Sequence, residues 1–162
     1  MNYSDNKEYW FRDLITDHYQ NPRNKGLVDS PNYKIVHLKN PSCGDDLMIQ
    51  VLFNDEQIIT DIRFEGSGCA ICCASASIMT ENTKNRTTSE ALRLIETFSQ
   101  MMIGSDNLNE ELLQEAICLQ GVAKLPPRIK CASLGYKALH RAITNEAVND
   151  SDLEEVNTGR ER

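Results

Sequence analysis

The sequence predicts an α+β domain: a three-stranded antiparallel sheet with helices packed on one face. Two observations carry this. Three short segments rich in β-branched and large apolar residues, 33–39, 47–53 and 58–65, follow one another with brief polar links. After Gly66-Ser67-Gly68 the apolar spacing turns helical for most of what remains. Strands first and helices after place the helices together on one side of the sheet.

The elements follow in order. Residues 6–20 read as an amphipathic helix, with Tyr9, Trp10, Leu14, Ile15, His18 and Tyr19 near helical spacing, and Asn21-Pro22 stops it. The first strand carries Ile35, Val36 and Leu38, the second Met48, Ile49, Val51 and Leu52. Residues 54–57 form a turn before the third strand. Residues 69–83 are rich in Ala, Ser and Cys, and such small side chains suit a helix lying close on the sheet. Thr88 and Ser89 can cap a helix through Ile103 whose apolar face holds Leu92, Ile95, Phe98 and Met102. Asn109 caps a short helix over 109–119, Leu125-Pro126-Pro127 breaks the chain, and 128–143 is a last helix. The domain spans 1–145. Residues 146–162 are acidic, poor in large apolar groups, and expected as a disordered tail.

Charge and composition exclude several classes. The net charge of −7 is −4 over 146–162 and −3 over 1–145, so no concentrated basic face awaits nucleic acid. No stretch is long and apolar enough to span a membrane, and the first twenty residues have no secretory signal. A cytoplasmic setting follows as the expectation. Six cysteines in a reducing compartment point to metal binding, catalysis or burial rather than to disulfides.

Three cysteines sit at element ends. Cys43 lies in Pro41-Ser42-Cys43-Gly44-Asp45, where Gly44 permits a tight turn that aims Cys43 and Asp45 at one point. Cys69 follows Gly66-Ser67-Gly68 and Cys131 follows Pro126-Pro127, both at expected helix starts. The N–H groups and dipole of a helix start favour a thiolate, the form that binds metal or attacks sulfur. Three thiolates and a carboxylate suit tetrahedral Zn²⁺; iron or a [2Fe–2S] cluster is the alternative. Cys69-Ala70-Ile71-Cys72 also fits a redox pair, but the parallel-sheet context for that is missing. Cys72, one turn on from Cys69, can approach the metal, while Cys73 and Cys118 are expected in the core. His18 and His140 read as packing residues on helices, and His37 lies in a strand. Arg128 and Lys130 flank Cys131 and can steer a charged partner or favour a thiolate.

These motifs, with Tyr19-Gln20-Asn21-Pro22-Arg23-Asn24 and Leu125-Pro126-Pro127-Arg128-Ile129-Lys130-Cys131, resemble the IscU/NifU-N-terminal iron–sulfur scaffold family over about residues 8–143. Two features resemble its SufU branch: Cys131 comes 62 positions after Cys69, and Lys130 stands where the scaffolds have a His. The resemblance implies a zinc-dependent sulfurtransferase that acts with a SufS-type cysteine desulfurase rather than alone. Its zinc ligands would be Cys43, Asp45, Cys69 and Cys131. Cys43 would accept the persulfide, freed from the metal by a desulfurase residue, and Arg128 would help dock that partner. A downstream cluster scaffold or other acceptor would take the sulfur. The alternative within the same family is a scaffold on which a [2Fe–2S] cluster is built and passed on. A purely structural zinc is the remaining reading.

Overall fold

The computed structural model describes the backbone of residues 3–148 and 150–158, with side chains from Asn6 onward. The chain runs α1 (Tyr3–Gln20), β1 (Lys34–Asn40), β2 (Asp45–Phe53), β3 (Ile59–Ser67), α2 (Ala70–Thr83), α3 (Thr88–Met102), α4 (Glu110–Leu113), a 3₁₀ segment (Gln114–Lys124), α5 (Pro126–Thr144) and β4 (Glu154–Val156). The α+β class stands, with one correction: the antiparallel sheet has four strands, ordered β3-β2-β1-β4, not three. The fourth comes from the acidic segment after Glu146. It pairs His37, Leu38 and Lys39 of β1 with Val156, Glu155 and Glu154.

The register explains the core. Val36 faces Ile49, Leu38 faces Leu47, and Ile49 and Val51 face Phe64 and Ile62 across β2 and β3. Alternation therefore puts all seven side chains on one face. Each is 4% exposed or less. Helices α2 and α5 lie on that face. Ala74, Ser75, Ala76 and Ser77 keep the α2 surface low, and Gly135 of α5 comes against Ala76, Met79 and Leu47. Ser75 Oγ donates to the Ala132 carbonyl at 2.6 Å, so the buried hydroxyl is satisfied across the two helices. Phe98 of α3 stacks on Tyr136 of α5 at 3.9 Å between centroids.

Polar ties hold the outer elements. Buried His18 of α1 bonds Ser77 of α2 and Glu115 of the 3₁₀ segment, each at 2.8 Å, so it is more than a packing residue. On the opposite face of the sheet, buried Gln50 exchanges two hydrogen bonds with the Val28 backbone. Thr87 and Glu90 form a capping box at the start of α3, so the cap is Thr87 rather than the expected Thr88 or Ser89.

Besides α1, which begins three residues earlier than expected, two helix limits differ for a backbone reason. The short helix expected over 109–119 ends at Leu113, because Gln114 takes φ +49°, and the chain continues as 3₁₀. The last helix begins at Pro126 rather than after it. Proline lacks only an N–H that the first turn leaves unbonded, so Pro126 and Pro127 open α5 instead of breaking it.

Candidate metal and sulfur site

The site lies at one end of the sheet, where β1 turns into β2. The turn is tight: the Cys43 and Gly44 N–H groups both donate to the Asn40 carbonyl, at 3.2 and 3.0 Å. Gly44 sits at φ +74°, where a side chain is strained, so the turn depends on glycine. Cys43 is half-buried on this turn, whereas Asp45 is already the first residue of β2 and 1% exposed.

Asp45 is fixed by both oxygens. Oδ1 accepts the Cys69 N–H at 3.0 Å and Oδ2 accepts from Asn40 Nδ2 at 3.2 Å. The first bond needs a bare backbone beside the carboxylate. A Cβ on Gly68 would stand 2.5 Å from Asp45 Oδ1. Cys69 is the N-cap residue of α2 with extended backbone and no side-chain capping bond, so its half-buried thiol is left for other use.

Cys131 lies on the second turn of α5, deeper than the helix start expected for it, and is fully buried. Its thiol reaches the Pro127 carbonyl at 3.9 Å, and the Cys43 thiol donates to the same carbonyl at 3.5 Å. Burial pushes the Cys131 thiol far up, and hydrogen bonding with Asp45, Cys43 and Cys69 adds to this. A cation among these side chains would favour the thiolate of Cys131 over its protonated form.

The ligand atoms of Cys43, Asp45 and Cys131 lie within 4.8 Å of one another. Donors bound tetrahedrally to Zn²⁺ stand about 3.5–4 Å apart, so a small contraction brings this trio to a metal, and the donor set fits. Cys69 stands outside that trio but beside Cys131, whose proton it helps to hold. Exposed Arg128 presents its guanidinium to the site. Hydrogen bonding to Cys131, then the charges of Cys69, Cys131 and Cys43, hold it firmly protonated.

The remaining cysteines divide differently from expectation. Cys118 is buried, and burial pushes its thiol up to about 12. Cys72 is 2% exposed, outside the trio, and its thiol is raised first by burial, so it is an inert core group in the resting protein. Cys73, expected in the core, is half-buried, with its thiol toward the Gly68 carbonyl at 3.9 Å. Sequence reasoning missed Asn40. Buried at 0% exposure, it donates to Asp45 and approaches Cys131 Sγ at 3.8 Å. Its one signal was an amide directly before Pro41, which reads more simply as a turn former.

Among the described residues, no helix is long and apolar enough to cross a membrane. The NifU-like N terminal domain family matches residues 10–148. The chain is 40% identical to the zinc-dependent sulfurtransferase SufU of Bacillus subtilis over 146 residues, 90% of this chain and 97% of that protein. It is 42% identical over 134 residues to the iron–sulfur cluster assembly scaffold protein IscU of Streptococcus pyogenes, 83% of this chain and 82% of that one. Among solved structures, a putative scaffold protein for the SUF system from Fervidobacterium islandicum superposes with a TM-score of 0.74 at 34% identity, covering 81% of this chain and 94% of that one. The motifs on which the resemblance rested all lie within the matched residues, and the chain belongs to the NifU-like N-terminal domain family.

Proposed function

We propose that this protein works in cytoplasmic iron–sulfur cluster assembly as a zinc-dependent sulfur relay, taking persulfide sulfur from a SufS-type cysteine desulfurase. The observation that carries this reading is the gathering of Cys43, Asp45 and Cys131 within 4.8 Å at one end of the sheet. The likeness to the Bacillus subtilis sulfurtransferase supports it. Cys43, Asp45, Cys69 and Cys131 would hold the zinc, and the bound ion would keep these thiols deprotonated near neutral pH.

The chain's own groups set up the transfer. Asn40 and the Cys69 N–H hold the carboxylate of Asp45 in place. Cys43, half-buried on its turn, is a thiol that a partner can reach. Its thiolate attacks the outer sulfur of the desulfurase persulfide. A new S–S bond forms on Cys43, the partner's S–S bond breaks, and the partner cysteine leaves as a thiolate. Arg128, exposed beside the thiols, is the docking contact for that partner and favours the thiolate form. A second scaffold or other acceptor then takes the sulfur. The 42% identity to a Streptococcus pyogenes IscU favours a second reading, in which a [2Fe–2S] cluster is assembled as cargo.

Elemental analysis and absorption spectroscopy of freshly purified protein test the choice. The relay reading expects about one Zn²⁺ per chain and no visible charge-transfer bands. A cluster spectrum with little zinc overturns it in favour of the scaffold. Removing the zinc should lower the melting temperature by roughly 5 °C or more, because the ligands lie on segments far apart in sequence.

Asp45 supplies a further test. A carboxylate binds Zn²⁺ less tightly than a thiolate, so a site containing one releases a ligand more readily. Asp45→Cys should hold zinc more tightly, with release to a chelator slowed roughly tenfold, and should pass sulfur more slowly. Undiminished desulfurase stimulation by an Asp45→Cys protein that holds zinc more tightly would show that ligand lability is not what the relay needs.

A further inference from the structure

The acidic segment 150–156 lies beyond the residues that match the family, which end at 148. It nevertheless docks on the matched domain in three ways. Its strand β4 takes the outer edge of β1. Leu153 packs against the core. Its acids pair with a row of cations on one side of α5: Asp150 with Lys130 at 3.7 Å and Lys137 at 3.0 Å, Asp152 with Lys130, and Glu155 with Arg141 at 2.7 Å. Lys130, Lys137 and Arg141 follow one another by seven and four residues, which aligns them along α5. The receiving surface therefore combines the β1 strand edge, covered here by β4, with a basic flank, and it is built wholly from family-matched residues.

That surface has the two elements that recognise an extended acidic polypeptide. A strand edge supplies main-chain hydrogen bonds, and cations at helical spacing supply charge complementarity. The present occupant holds it lightly. Its strand is three residues long, and in the Lys130–Asp152 pair Lys130 is half-buried and Asp152 exposed. Such pairs weaken with salt.

We propose that the β1 edge and the basic side of α5 form a docking groove for an acidic, extended segment of a partner protein, which residues 150–156 occupy as a removable competitor. The groove begins one residue before Cys131, so an occupant lies next to the sulfur site without using it. Displacement is a competition between two acidic strands for one edge, and it involves neither metal nor sulfur.

The test uses the full chain. The probe is a fluorescently labelled peptide with the sequence of residues 150–158. Asp150→Lys with Glu155→Lys should drive the chain's own segment off the groove. That variant should bind the probe at least tenfold more tightly than the unmodified chain at low salt, and lose it in 0.5 M salt. Adding Lys137→Glu should abolish binding. Equal binding to both chains, or none to the correctly folded variant, overturns the inference. If the variant does not fold, hydrogen exchange on the unmodified chain decides. Raised salt should speed exchange in 154–156 while β2 stays protected, and salt-independent exchange there refutes a removable competitor. Neither readout depends on sulfur transfer, so its failure leaves the relay untouched and the failure of the relay leaves it standing.

Discussion

Replacing Cys43 with Ala should reduce sulfur acceptance from a cysteine desulfurase to background, a loss of roughly 100-fold or more, since the proposed nucleophile would be gone. The fold should remain. Cys43 is half-buried on a turn whose backbone bonds run to the Asn40 carbonyl, and an alanine keeps both. In the metal-free protein the unfolding free energy should change by less than about 1 kcal/mol. Mass spectrometry after incubation with the desulfurase and cysteine should show a 32 Da adduct on the unmodified protein and none on Cys43→Ala, where "32 Da" is about one sulfur atom. A persulfide that persists in the variant would move the acceptor role to another thiol, with Cys69 next in line because it is also half-buried and uncapped.

Gly66→Ala should be the most damaging small change in the sheet. Gly66 pairs with Leu47 across β3 and β2, and a Cβ there would stand 2.1 Å from the Asp46 carbonyl oxygen and 3.0 Å from Leu47 Cα. Both are backbone atoms of the neighbouring strand, so no side chain can swing aside. Relief requires the strands to part at the end where β2 carries Asp45. A cost of about 3 kcal/mol, or roughly 10 °C in melting temperature, is expected, with weaker metal retention. Gly121→Ala is the control, because nothing lies within 4 Å of the Cβ it would add. If Gly66→Ala melts within about 2 °C of the unmodified chain, the close approach of β2 and β3 at this end is not as described.

The sheet was legible where its period-two pattern was strong. Val36 and Leu38, and Leu47, Ile49 and Val51, mark strands whose apolar side chains the register then turns to one face. Strand β4 was not legible. Glu154-Glu155-Val156 is three residues long and mostly acidic, and it is held by β1 and by cations on α5, all distant in sequence. Tertiary context overrides local propensity there. The site was legible in outline, because glycines and prolines beside Cys43, Cys69 and Cys131 mark element ends. Its details were not. Cys131 lies two residues deeper in its helix than expected because prolines open α5. Asn40 carries no motif of its own, and its role depends on which groups the fold buries around it.

The site is built like a jaw with one hinged side. Asp45 belongs to the β2 ladder and Cys131 to the second turn of α5, so both move only if the core moves. Cys43 hangs on a turn closed by two hydrogen bonds to a single carbonyl, beside a glycine at φ +74°. If Cys43 is the thiol that accepts sulfur, as proposed, the part of the site that has to yield is this turn, and the strand and helix that carry Asp45 and Cys131 can stay in place.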